Sequence, residues 1–147
     1  MKSDVVQWEP TSDAISECKK YLPEKSCQNY LRAILLDTNS STVFNQIENE
    51  PRLLVCGTHA NRPLCTWRNK DRIDEVIEYF DGIGKIPSNP DSSSSYVKLD
   101  NGDVYFGTSI NYAEQGMKAD YLIDRSLGSS KQLRTDQYNS NWLNGKF

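Results

Sequence analysis

His59 is the only histidine in 147 residues. Any Ser–His–Asp or Cys–His catalytic site would have to use it. It stands in a turn-like stretch between two cysteines, which suits an exposed or capping turn residue better than a general base. Long apolar runs are also missing, which excludes an apolar membrane-spanning helix. Met1-Lys2-Ser3-Asp4 leads straight into domain-like sequence with no apolar leader segment. Basic charge is not in excess: the net charge is −3, so sequence-independent attraction to nucleic acid is not expected. Gly82-x-Gly84 lacks the third glycine and following helix of a phosphate-binding loop. Asp100-Asn101-Gly102-Asp103 lacks the EF-hand spacing and its distal glutamate. No two cysteines have CxxC spacing, which argues against a zinc knuckle or a thioredoxin-type site. Carboxylates are plentiful at Asp71, Asp74, Glu75, Glu78 and Asp81, but such a run reads as a solvated face. No catalysis, metal or cofactor is expected.

What is there is β-structure and four cysteines. Cys18, Cys27, Cys56 and Cys65 form two close pairs, each bracketing a short loop. That suits local disulfides in an oxidising compartment. The alternative is four reduced, buried cysteines in a cytosolic protein. The stretch from Arg52 to Arg68 reads as a hairpin. Leu53-Leu54-Val55-Cys56 ends at Gly57-Thr58, a polar turn follows through Pro63, and Leu64-Cys65-Thr66-Trp67 returns.

Other elements follow in order. Val5 to Glu9 reads as the end of a strand stopped by Pro10. Ser12 or Asp13 can cap a short helical turn from Ile15 to Lys20. Tyr30 to Leu36 is an apolar run that reads as a buried central strand. Asp37 to Asn49 is polar loop and holds the sequon Asn39-Ser40-Ser41, a glycosylation signal in a secreted protein. Ile73 to Phe80 fits a helix or an outer strand. Ser88 to Ser95 is a loop rich in serine. Tyr96–Leu99 and Val104–Phe106 flank Asn101-Gly102, a hairpin signal in which both turn residues are expected at positive φ. Tyr121–Arg125 and Leu133–Tyr138 supply two further strands.

An internal echo orders these elements. Leu53–Thr58 recurs as Asp103–Thr108, and the Gly-Thr pairs are offset by 50 residues. One propeller blade takes about 40–50 residues, and a ring takes at least about four blades. The chain therefore holds fewer than three blades. The expected fold is all-β, an incomplete propeller of antiparallel sheets. Two of its faces are expected to be partly uncovered, lined by Leu31, Ile34, Leu53, Val55, Val104 and Phe106.

LLVCGT, a small turn and then Pro63-x-Cys65-Thr66 resemble the signature of the sema domain, the propeller of semaphorins and plexins. Arg125 to Asn144 (RSLGSSKQLRTDQYNSNWLN) is similar to semaphorins specifically, and most to the class that also carries thrombospondin repeats. The resemblance runs from Trp8 to Phe147. It decides for an outer strand at Ile73–Phe80. It implies a partial sema domain over 1–147: the end of a first blade, then a second and a third. It implies disulfides Cys18–Cys27 and Cys56–Cys65. It implies an extracellular or cell-surface signalling ligand, not an enzyme, that binds plexin receptors in axon guidance and cell migration. Homodimerisation through the complete propeller is implied, and any membrane association through parts absent from this chain. A leader sequence is expected upstream.

Arg134, Gln137, Tyr138 and Asn139 mix charge with an aromatic anchor and match a segment leading to the plexin-facing edge. Trp142 reads as core. Two departures stand out: Ile86 replaces a residue that is often cysteine, and Asp124 stands where tyrosine commonly precedes Arg-Ser-Leu-Gly. The rival readings are a receptor-side, plexin-like sema domain and a secreted propeller enzyme.

Overall fold

A computed structural model describes residues 5–37, 51–110, 120–128 and 130–135. Its β-strands form two four-stranded antiparallel sheets, each a meander in sequence order. The first contains β1 (Leu31–Asp37), β2 (Arg52–Gly57), β3 (Leu64–Asn69) and β4 (Val76–Asp81). The second contains β5 (Ser95–Lys98), β6 (Val104–Ile110), β7 (Asp120–Ser126) and β8 (Leu133–Arg134). One helix, α1 (Ser12–Lys19), and a 3₁₀ turn (Glu24–Cys27) precede β1. Mostly β-structure in repeated four-stranded meanders fits a partial propeller, as expected.

Strand alternation explains the core. In β2 and β3, Leu54, Cys56, Cys65 and Trp67 share one face and are all buried. They meet Ile86, Val104 and Phe106, with Leu35, Phe80 and Leu127 packed around them. Phe106 is fully buried, and at about 25 cal/mol per Å² such a side chain contributes about 2–3 kcal/mol. The opposite face of the first sheet is less well covered. Leu31, Ile34, Leu53 and Val55 line a groove there of about 320 Å³, roofed in part by Val6 and Trp8. So four of the six residues expected on open faces line a groove, while Val104 and Phe106 are core.

The two sheets also meet at their first strands. The Tyr96 hydroxyl donates to the Ile34 carbonyl at 3.1 Å, and Lys98 Nζ donates to the Leu36 carbonyl at 2.9 Å. Arg32 reaches the Pro90 carbonyl at 3.0 Å and also bonds the Ser92 carbonyl. The echo has a structural meaning. Gly57 pairs with Leu31, the first residue of β1, and Gly107 pairs with Ser95, the first residue of β5. Thr58 and Thr108 are both buried. The repeated motif thus occupies the second strand of each sheet.

Several local expectations are corrected. β1 is an edge strand with Ile34 and Leu36 exposed, because a continuous apolar run does not distinguish an edge from a centre. Val5 to Pro10 forms no strand. The α1 cap is Thr11, whose hydroxyl accepts from the Ala14 amide at 3.3 Å. In the β5–β6 loop, Gly102 has φ +88° and Asn101 is not at positive φ. The Leu99 amide bonds the Asp103 carbonyl, and the Gly102 amide bonds the Leu99 carbonyl. That is a longer loop ending in a left-handed glycine, the bulge type of hairpin connection.

The β2–β3 loop is stranger. His59, Ala60 and Asn61 are all left-handed, with φ of 44°, 54° and 66°. Each costs of order 1–3 kcal/mol, so the surroundings must hold them there. The segment Gln28–Tyr30 does so. The Asn29 Oδ1 accepts from the His59 amide at 3.0 Å, the Gln28 carbonyl accepts from Ala60 at 3.1 Å, and the Tyr30 carbonyl accepts from Thr58 at 3.0 Å. Asn29 also donates to the Trp8 carbonyl at 3.1 Å, which ties down the N-terminal segment. Its carboxamide lies where a Cβ on Gly57 would sit, so glycine is required there by close approach. Asn29→Ala is therefore expected to cost about 2 kcal/mol or more, by orphaning two backbone groups. Urea unfolding measures it; a loss under about 0.5 kcal/mol would show that the loop holds its own shape.

Candidate interaction surface

Two disulfides frame the first sheet. Cys56 and Cys65 are directly paired across β2 and β3, with Cα atoms 4.1 Å apart and both side chains fully buried. Cys18 joins Cys27 with Cα atoms 5.7 Å apart. That bond fastens α1 to the 3₁₀ turn and packs with Ala14 and Ala60, so it also backs the strained loop. Each closes a loop of nine residues' separation. The chain-entropy relation gives about 2–3 kcal/mol for each. Peptide mapping without reduction is expected to recover Cys18–Cys27 and Cys56–Cys65 in secreted protein. Four free thiols, or a Cys27–Cys56 bridge, would refute this pairing.

His59 lies inside this framework. Its ring is 6.2 Å from the Trp8 ring and it is mostly buried. Burial pushes the imidazole pKa down, so the ring is neutral at pH 7. No cysteine thiol is available to it, since all four cysteines are bonded. Trp8 is held from the other side by Arg68, whose guanidinium lies 5.0 Å from the ring. His59 therefore serves as packing.

The Asp100–Asp103 loop is satisfied by protein groups. The Asp103 carboxylate accepts from the Ser130 hydroxyl, from its amide at 3.1 Å and from Asn101 Nδ2 at 3.0 Å. The Ser130 hydroxyl first, and these other donors with Arg125, hold its carboxyl below the usual range against the opposing effect of burial. Among the described residues, no cluster of three or more His, Cys, Asp or Glu side chains is placed to hold a metal.

A charged cluster was not anticipated. Asp124 faces the core from β7, paired with Phe106, and is fully buried. Lys85 Nζ stands 3.6 Å from Asp124 Oδ2, and Arg134 Nε 3.7 Å from the same atom. Gln132 Nε2 donates to it at 3.3 Å. Lys85 belongs to the connection between the sheets, so the cluster locks the second sheet to the exit of the first.

This fixes one of the expected partner-binding residues. The Arg134 side chain is 16% exposed and points inward at Asp124. Its sequence neighbour Asp136 lies outside the described residues, as do Gln137, Tyr138, Asn139, Trp142 and the sequon residue Asn39. Arg134 itself is thus tied to the second sheet through Asp124.

A second apolar surface lies on the outer edge of the first sheet. β4 closes the order of the first sheet, and Ile77 and Tyr79 on it are 56% and 58% exposed. A wide groove of about 690 Å³ lies between α1 and the end of β4.

Comparison with known proteins gives one consistent result. No family model matches the chain. Human Semaphorin-5B is 33% identical over 139 residues, 94% of this chain but 11% of the relative. The chain thus spans about a tenth of that protein's length. Drosophila Semaphorin 1b, extracellular domains 1–2, superposes with a TM-score of 0.65 at 27% identity, covering 91% of this chain and 23% of that one. A solved complex of Drosophila Plexin A with Semaphorin 1b matches with a TM-score of 0.64 at 28% identity, covering 82% of this chain and 20% of that one. The resemblance to semaphorins read from the sequence is borne out over nearly the whole chain, and the similar proteins include Semaphorin-5A of rat at 33% identity over 140 residues.

Proposed function

We propose that this chain is the early part of a semaphorin-type propeller, comprising the end of a first blade and a second and third blade. The observation that carries this reading is the repeated four-stranded meander with Gly-Thr at equivalent strands, together with 33% identity to Semaphorin-5B. The whole polypeptide acts as an extracellular signalling ligand and engages a plexin receptor through its propeller, as a homodimer. The solved complex of Plexin A with Semaphorin 1b supports that choice of partner. No helix among the described residues is long and apolar enough to cross a membrane. The reading is non-enzymatic, because His59 is packed on Trp8 and its cysteine neighbours are bonded.

Within this reading, Gln137, Tyr138 and Asn139 contact the receptor, and Arg134 holds their stretch in place through Asp124. Tyr138→Ala in the natural polypeptide is expected to weaken plexin-ectodomain binding about fivefold or more, a loss of about 1 kcal/mol or greater. Surface plasmon resonance reads it. Unchanged affinity in a folded variant removes Tyr138 from the interface.

A further inference from the structure

The geometry points to a second interaction surface, on the first sheet. The outer edge of β4 and the groove beside α1 take an extended, basic and apolar segment of another protein, added as a fifth strand. Three observations converge. First, β4 is the last strand of its sheet, and its outward backbone groups have no strand partner among the described residues. Second, the edge is only partly protected: it has Glu78 and a register shift in its pairing with β3, yet it carries no lysine or proline, and Ile77 and Tyr79 stand exposed on one face. Third, the adjoining groove has an apolar floor of Ala14, Leu64, Phe80 and Ile83 under a rim of three carboxylates, Asp13, Glu17 and Asp81.

Charge decides the occupant. Among the described residues, Arg62 is the one cation lining the groove. It acts on Glu17, which Lys20 already bonds. Asp81 accepts only the Ile83 amide, and no cation pairs with Asp13, Glu78 or Asp81 among the described residues. Glu78 stands on β4 itself, between Ile77 and Tyr79. An acidic peptide would face uncompensated repulsion here. A strand alternating basic and apolar residues matches both: its apolar side chains lie on Tyr79 and Ile77, its cations on the opposite face reach Glu78, and a basic residue past the end of β4 reaches Asp81 and Asp13. Main-chain bonds supply affinity and these pairs supply specificity.

The test uses the natural polypeptide secreted from cells and two nine-residue probes, one alternating lysine with valine and one alternating glutamate with valine. The lysine probe is expected to bind by fluorescence anisotropy, to weaken with added salt, and to slow amide hydrogen exchange at 76–81. Binding should fall at least tenfold in Ile77→Lys/Tyr79→Lys, changes confined to exposed side chains. Asp13→Asn/Asp81→Asn should lower affinity for the lysine probe alone. Equal binding of both probes, protection elsewhere, or slow exchange at 76–81 before any probe is added each overturns the proposal. The last outcome would mean that another part of the same polypeptide already fills the edge. Plexin binding is read in parallel, and these variants leave it unchanged.

Discussion

Asp124→Asn is expected to destabilise the folded protein by about 3–5 kcal/mol. The change is nearly isosteric, so the effect isolates charge. In the wild type, the Lys85 and Arg134 side chains are 7% and 16% exposed, and both approach one carboxylate oxygen. At an effective dielectric of about 20, unit charges about 4 Å apart attract by about 4 kcal/mol. Desolvating each ion costs several kcal/mol, so the intact cluster is close to neutral in net stability. Removing the single anion leaves two buried cations facing one another with their desolvation uncompensated. The triple replacement Asp124→Leu/Lys85→Met/Arg134→Met removes all three charges at similar volume. It is expected to come within about 1 kcal/mol of wild type. Thermal melts of the natural polypeptide compare the two. If the single variant loses less than 1 kcal/mol, or the triple loses as much as the single, the cluster does not join the sheets electrostatically.

Asp124 also shows where sequence reasoning stops. Tyr121 to Arg125 reads as a strand, and period-two alternation puts Asp124 on the same face as Leu122. A carboxylate on a core face needs a cation, but the strand alone does not say which of its faces is core. The identity of its partners was not legible either, because Lys85 lies 39 residues earlier in the connection between sheets (124 − 85). The hairpins were legible for the opposite reason: β2 with β3, and β5 with β6, are neighbours in sequence and carry their own turn residues. The edge position of β1 was not, since Tyr30–Leu36 is apolar whichever side is covered. Nor were the left-handed His59, Ala60 and Asn61. Nothing in those residue types requires positive φ, and the conformation is imposed by bonds from Gln28 to Tyr30. Nor was the inward course of the Arg134 side chain toward Asp124, since an arginine reads the same in sequence whether it points out or in.

Residues 1–147 expressed alone are expected to be poorly secreted, to associate, and to show no cooperative melt. Propeller blades bury each face against a neighbour, and ring closure protects what remains. Two sheets supply one such interface, the cluster around Leu54, Trp67 and Phe106. Beyond it, the groove over Leu53 and Val55 stays open, and Leu31, Ile34 and Val97 are each at least half exposed (53%, 50% and 53%). At about 25 cal/mol per Å², half-burying three such side chains is worth about 2–4 kcal/mol, a large part of a typical net stability of about 5–15 kcal/mol. The two disulfides cannot replace that, because each spans nine residues within the first sheet's own neighbourhood. Among the described residues, β4 and β8 end their sheets without a further strand, which adds a route to association between chains. Secretion yield, gel filtration and calorimetry of the 147-residue chain decide the matter. A monomer with a single sharp transition would overturn the partial-propeller reading and show that these two sheets are a domain in themselves.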